Sequence, residues 1–109
     1  MRLVVDFADR ADARLDEIAA YIEDKSGFPL RASRFVAKLA DKARSLGPVA
    51  PTLRVFYVSR VTGYEYRQIT HRGYHIVYTI QGERVIVVDF FHGGRSVRSL
   101  ERSLESFRA

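Results

Sequence analysis

The side chains with the most chemical potential lie in residues 64–95, which read YEYRQITHRGYHIVYTIQGERVIVVDFFHGGR. This stretch holds all 3 histidines of the chain. Its candidate reactive or anion-binding residues are Arg67, His71, Arg72, His75, His92 and Arg95. A histidine can act as a general acid or base near neutral pH, and an arginine can hold a phosphate or carboxylate with two parallel hydrogen bonds. Acid–base chemistry and recognition of an anion therefore both fit this stretch.

The histidines do not favour a metal centre. His71, His75 and His92 show no regular ligand spacing and are not joined by a set of cysteine and acidic partners. A zinc site needs three or four such donors in a defined arrangement. We therefore predict neither a metal nor any other cofactor.

Composition places the chain among soluble globular proteins of a single domain covering residues 1–109. It has a net charge of +5, carried by 15 arginines and 3 lysines. Residues 1–44 sum to +1 and residues 45–109 to +4, so the positive field is expected on the second half. A nucleic acid, a protein that handles nucleic acid, or an acidic protein segment would fit as partner, and a solvated basic surface fits equally well.

The chain has no cysteine, and the apolar run before Asp6 is too short for a signal sequence or a membrane span. Both observations favour a cytoplasmic protein that does not contact a membrane.

The elements that must position these side chains begin with a short strand over residues 2–7, RLVVDF. Asp9 is placed to cap a helix that Gly27 ends, and Pro29 suits the first turn of a second helix. Both helices have an apolar stripe at helical spacing, formed by Ala11, Leu15, Ile18, Ala19 and Ile22 in the first and Ala32, Phe35, Val36, Leu39, Ala43 and Leu46 in the second. The two helices are expected to form an antiparallel hairpin.

Period-two patterns follow the hairpin. Residues 54–61 are expected to be a strand or extended edge, and residues 64–71, 74–80 and 84–91 to be three consecutive antiparallel strands. Residues 84–91 are apolar on both faces, which is typical of a central strand. Residues 96–107 show helical spacing in a segment too short to be stable alone, so this helix must dock on the sheet or on a partner. The predicted fold class is α+β: an N-terminal strand, an αα-hairpin on a small antiparallel sheet of three to five strands, and a short C-terminal helix.

The chain resembles the ParE branch of the ParE/RelE toxin superfamily, whose members are toxins of bacterial type II toxin–antitoxin systems. The resemblance is carried by the order and spacing of DARLDEIAAYIED, ASRFVAKLADKARSL, YRQI, YHIVYTI and VIVVDFFHGGR. They are similar to the two family helices, the arginine strand, the "YrivY" strand and the "v.il.V.HgrR" ending. The resemblance covers residues 3 to about 95, with the C-terminal helix at about 96–107 following them.

The resemblance implies a toxin that binds and inhibits DNA gyrase without chemistry of its own. It implies a cognate ParD-like antitoxin, a partly disordered acidic segment that folds on the toxin and forms a hetero-oligomer with it. The expected target-binding residues are Arg67, His92 and Arg95. The expected antitoxin-binding residues are Ile22, Phe35, Tyr74 and Tyr78.

Two alternatives stay open. In a RelE-type, ribosome-dependent mRNA endonuclease, Arg67, Tyr78, His92 and Arg95 would carry catalysis, because the chain has no lysine beyond Lys42. A non-toxic homologue that only binds antitoxin is the second. It is suggested by Gly94 and Asp89, which stand where the family often has arginines and would remove positive charge from the rim of the sheet, meaning the strand end from His92 to Arg95. Arg67 itself also has a structural interpretation, an ion pair with Glu65 or Asp89.

Overall fold

The computed structural model describes residues 3–94 and 97–109. Three helices, five strands and one short 3-10 turn follow one another in these residues. In chain order they are β1 (Val4–Phe7), α1 (Asp9–Ser26), α2 (Pro29–Arg44), the 3-10 turn Ala50–Thr52, β2 (Val55–Val58), β3 (Glu65–His71), β4 (Tyr74–Gln81), β5 (Arg84–His92) and α3 (Val97–Glu105). The α+β fold class is confirmed. No described helix has the length and apolar character needed to cross a membrane.

The helix hairpin forms where its sequence signals lie. Helix α1 stops at Gly27, which has a φ of 73° and donates its N–H to the Glu23 carbonyl at 2.7 Å. Pro29 then occupies the first turn of α2, where its missing N–H leaves no hydrogen bond unmade. The prediction for Asp9 is off by one residue, because Asp9 is already helical and Ala8 is the N-cap without a side-chain hydrogen bond. The Asp9 carboxylate still lies in the first turn, where it favours the helix dipole.

The five strands form one mixed sheet in the order β1-β5-β4-β3-β2. Strands β2, β3, β4 and β5 pair with one another in antiparallel fashion, whereas β1 pairs in parallel with β5, from Val4 opposite Arg84 to Phe7 opposite Val87. The predicted antiparallel sheet is confirmed for β2 to β5, and the N-terminal strand β1 adds a parallel edge to it. A parallel pair needs a long crossover, and the chain between β1 and β5 contains the helix hairpin.

Strand β5 contains a bulge at Val88. Val77 of β4 lies opposite Asp89, but the next residue, Tyr78, lies opposite Val87, so Val88 has no partner. The bulge shifts the alternation of side chains, and Phe90 turns to the same side as Val87. An extra residue of this kind re-aims the side chains that follow it.

Both faces of the sheet are covered. The helix hairpin packs on one face, where Leu39 and Ala43 meet Ile76, Tyr78 and Phe90 in a continuous apolar cluster. Helix α3 packs on the other face in a second cluster. Its members are Tyr66, Val77, Val88, Phe91, Leu100, Leu104 and Phe107. The C-terminal helix therefore docks on its own sheet.

Polar contacts also hold α3 in place. Arg10 of α1 donates to the backbone carbonyl and to Oγ of Ser103, the latter at 3.0 Å. The Tyr66 hydroxyl donates to the Leu104 carbonyl at 3.3 Å, and burial raises the pKa of Tyr66 to about 12. At its C-terminal end α3 holds the β2–β3 loop, because the Glu105 carboxylate accepts hydrogen bonds from the Tyr57 hydroxyl and the Arg60 N–H.

The Glu105 contacts predict a pH-dependent stability. The hydrogen bond from Tyr57 is the largest of several that lower the pKa of Glu105 below its ordinary 4.5. A carboxyl whose pKa is lower in the folded state stabilises the fold above the unfolded pKa, and this contribution is lost as pH falls through the folded value. We expect the melting temperature of wild type to exceed that of Glu105→Gln at neutral pH. The difference should shrink as the pH falls below 4.5. Melting curves of both proteins across this pH range test the prediction. A difference in melting temperature that does not change with pH would contradict it.

Candidate functional site

An open cleft of about 720 Å³ lies between the two helices of the hairpin and the neighbouring ends of β4 and β5. Its apolar lining is Ile18, Tyr21, Ile22, Phe35, Tyr74 and Phe90, and we call this surface the aromatic cleft. Its rim is charged or polar and consists of Arg14, Glu17, Arg31, Arg72 and His92. Three of the four residues predicted to bind an antitoxin, Ile22, Phe35 and Tyr74, thus meet in one place.

Local structure explains how these side chains converge. Ile18 and Ile22 are four residues apart and so lie on one face of α1. Across the cleft, the Phe35 ring of α2 meets the Tyr74 ring edge-on, with centroids 5.8 Å apart. Tyr74 opens β4 directly after a tight turn, in which Arg72 and Gly73 have φ values of 52° and 81°. This turn sets both the Tyr74 ring and the Arg72 guanidinium against the hairpin.

Charge is distributed unevenly around the aromatic cleft. Helix α1 carries six acidic and three basic residues, whereas α2 carries five basic and one acidic. The α1 side of the rim carries Glu17 paired with Arg14 at 3.0 Å, whereas the opposite side carries Arg31 and Arg72. The net charge of residues 1–44 conceals this contrast, because the opposite net charges of the two helices nearly cancel. The prediction that positive charge belongs to the second half of the chain therefore misses a strongly basic α2.

The residues predicted to bind the target are not all brought together. His92 lies on the cleft rim, stacks edge-on with Tyr74 at 5.2 Å, and accepts the Gly94 N–H at Nδ1 over 3.2 Å. Arg67 lies opposite Tyr78, whereas His92 lies opposite Tyr74, a separation of four residues or about 13 Å along β4. Arg95 lies outside the described residues.

Two structural interpretations of charged residues need correction. The half-buried Arg67 donates its Nε–H to the Leu53 carbonyl at 2.7 Å, and it forms no ion pair with Glu65 or Asp89 in the described part of the chain. Asp89 is not on the rim either, because its side chain is only 2% exposed and pairs with Arg14 at 2.9 Å. Its acidic character therefore removes no charge from a binding surface.

Tyr78 is not available as a contact or as a catalyst in this structure. Its side chain is fully buried, and its hydroxyl donates to the Ala50 carbonyl at 2.8 Å. Burial raises the pKa of Tyr78 to about 12, so the phenol stays protonated at neutral pH. The expectation that Tyr78 contacts an antitoxin, or takes part in RNA cleavage, conflicts with this position.

Sequence reasoning missed several residues that line the exposed surface. Tyr21, Phe28 and Leu30 are about 60% exposed, although their types favour burial. Lys25 lies 5.7 Å from the centroid of the Tyr21 ring, and Arg31 lies 5.2 Å from that of Phe28. The available signal was positional: each of these apolar residues falls outside the stripe that faces the core.

Two of the comparisons with known proteins found a match, one to a family model and one to a solved fold. Residues 5–97 match the family model described as the ParE toxin of type II toxin-antitoxin system, parDE. Among solved structures, the fold is similar to a chain of a chromosomal ParDE toxin–antitoxin system from P. aeruginosa, with a TM-score of 0.66 and 18% sequence identity. That alignment covers 84% of this chain and 96% of the other. No curated protein sequence matches.

Proposed function

Because the chain belongs to the ParE toxin family of type II toxin–antitoxin systems, we propose that it inhibits DNA gyrase by binding and that a cognate antitoxin neutralises it. The proposal of gyrase as the target is supported by the family resemblance alone. The proposal that an antitoxin binds the chain is supported by a single observation, the aromatic cleft. We propose that the chain meets both gyrase and the antitoxin in the bacterial cytoplasm.

The aromatic cleft suits a segment that folds as it binds. An amphipathic helix can lay apolar side chains at i, i+3, i+4 and i+7 into such a groove. The rim favours acidic residues of a ligand on the side of Arg31 and Arg72, whereas Glu17 on the α1 side is already paired with Arg14. A partly disordered acidic segment with an apolar stripe meets this requirement.

The position of His92 suggests how binding of the antitoxin would block binding of the target. His92 lines the rim of the aromatic cleft, and it is also a proposed target contact. An antitoxin segment seated in the cleft would cover the imidazole of His92. Neutralisation would then follow from simple occlusion of one target contact.

Binding fits this surface better than catalysis does. Cleavage of RNA by its own 2′-hydroxyl needs a base, an acid and charge clamps within reach of one phosphate. Tyr78 is buried and protonated at neutral pH, and His92 lies about 13 Å along the sheet from Arg67. The described members of the candidate catalytic set therefore do not form one site.

A supercoiling assay with purified gyrase tests the proposal. The wild-type chain is expected to inhibit supercoiling, and the cognate antitoxin should relieve the inhibition. Tyr21→Asp places a charge in the apolar lining, where desolvation is costly, so relief should need about ten times more antitoxin while inhibition itself is kept. Val61→Asp, at an equally exposed apolar residue outside the cleft, is the matched control.

Other outcomes would contradict specific parts of the proposed function. Cleavage of mRNA in a translating extract without inhibition of gyrase would favour a RelE-type endonuclease. Absence of both activities and of growth arrest would favour a non-toxic homologue that only binds antitoxin. Equal neutralisation of wild type and Tyr21→Asp would remove the aromatic cleft from the antitoxin interface.

A further inference from the structure

A row of cations follows the N-terminal half of α2. Arg31, Arg34 and Lys38 are spaced by three and four residues, which places them on one face of the helix. Arg72, from the turn between β3 and β4, lies beside the same face, and all four side chains line one shallow cleft of about 360 Å³. We call these four residues the basic ridge.

The basic ridge is not neutralised from within the fold. Four ion pairs occur among residues 3–94 and 97–109, and none includes Arg31, Arg34, Lys38 or Arg72. The one acidic residue of α2, Asp41, pairs with Arg44. Cations held this close repel one another, and a polyanion would relieve that repulsion.

Exposed apolar side chains complete the same cleft. Phe28 is 59% exposed and Leu30 is 61% exposed, and both line the cleft together with the basic ridge. The Arg31 guanidinium lies over the Phe28 ring at 5.2 Å, a contact that orients the ring beside the cations. An aromatic platform next to a basic groove is the arrangement with which proteins bind single strands without sequence preference.

We propose that the basic ridge and Phe28 bind single-stranded nucleic acid, with phosphates against the four cations and a base stacked on the Phe28 ring. The two other polyanions fit this surface less well. A duplex would use the cations but leave Phe28 and Leu30 without a partner, because its bases are already stacked. An acidic peptide would pair with the cations but has no use for a flat ring beside them. Single-stranded DNA and RNA share the required chemistry.

Fluorescence anisotropy with the full-length chain tests this binding. The probes are labelled oligothymidylate and oligouridylate of about 12 nucleotides, a duplex of equal length and a polyglutamate peptide of equal length. Both single strands are expected to bind more tightly than the duplex and the peptide. If all four cations contact phosphates, the logarithm of affinity should fall with the logarithm of salt concentration at a slope of about −3. Comparing the two single strands shows whether DNA or RNA is preferred.

Two variants separate the contributions of charge and stacking. Arg34→Glu/Lys38→Glu should weaken single-strand binding about tenfold or more, because two phosphate contacts become repulsive. Phe28→Ala should weaken single-strand binding about fivefold or more and leave duplex binding unchanged. The matched control is Arg98→Glu/Arg102→Glu, which makes the same change of charge on exposed residues of α3 and should leave the affinity unchanged. Circular dichroism verifies that each variant is folded.

Three results would overturn the proposal. The first is polyglutamate binding as tightly as the single strands, which would make the ridge a site for an acidic peptide. The second is duplex binding that equals single-strand binding, with no effect of Phe28→Ala. The third is an equal loss of affinity in the α3 control, which would show attraction by net charge alone.

Discussion

Replacing Asp89 with alanine is expected to lower the free energy of unfolding by about 3 kcal/mol, the usual cost of removing one partner of a buried ion pair. The Asp89 carboxylate is 2% exposed and accepts hydrogen bonds from Arg14 Nε at 2.9 Å and from the Phe90 N–H at 2.8 Å. It also accepts the Ser103 hydroxyl at 3.3 Å. One side chain thus joins α1, the bulge of β5 and α3, and its loss removes a hydrogen bond to each of them.

Urea denaturation of wild type and Asp89→Ala measures this difference. Asp41→Ala provides the matched control, because the Asp41–Arg44 pair is 63% or more exposed on both sides and should contribute less than about 1 kcal/mol. Arg14→Ala should also destabilise, since it leaves the Asp89 carboxylate buried without its cation. If Asp89→Ala lowered the free energy of unfolding no more than Asp41→Ala does, Asp89 would not be an important link between α1 and α3.

Replacing Leu104 with alanine is the second change with a large expected effect. Leu104 is fully buried in the cluster between α3 and the sheet, where it packs with Tyr66, Val88 and Phe91. A Leu→Ala change in a packed core removes apolar contacts and leaves a cavity, so we expect a loss of about 3 kcal/mol. For a domain of this size that corresponds to a decrease in melting temperature on the order of 15 °C.

Thermal denaturation followed by circular dichroism measures the effect of Leu104→Ala. Arg102→Ala, an exposed residue of the same helix, serves as control and should change stability by less than about 0.5 kcal/mol. If Leu104→Ala melted like wild type, α3 would not be docked on the sheet in solution, and the second apolar cluster would be exposed.

The helices could be predicted from the sequence because their signals are local. Gly27 and Pro29 mark the ends of neighbouring helices, and the two apolar stripes repeat at helical spacing. The parallel pairing of β1 with β5 could not be predicted in this way, since it joins residues about 80 positions apart. Nothing within the four residues of β1 specifies whether its partner runs parallel or antiparallel.

The sequence predicted which residues share the candidate site only where the helical or strand pattern is regular. Ile22, Phe35 and Tyr74 come from uninterrupted helix and strand patterns, and they meet in the aromatic cleft. Asp89 was misplaced because it adjoins the bulge at Val88, beyond which strict alternation no longer holds. Arg67 was expected to pair with a carboxylate, but its acceptor is the Leu53 carbonyl, and a sequence pattern gives no sign of such a main-chain contact.

The pairing of β1 with β5 also sets the order of events during synthesis. The two helices are formed by local contacts and can associate as soon as residues 9–44 have emerged from the ribosome. Strand β1 must wait for Arg84 to Val87, and Arg10 must wait longer still for Ser103. Because contacts between distant residues close slowly, completion of the sheet should set the folding rate. Strand β1 and Arg10 therefore reach their final places only after residues 84–103 have been made.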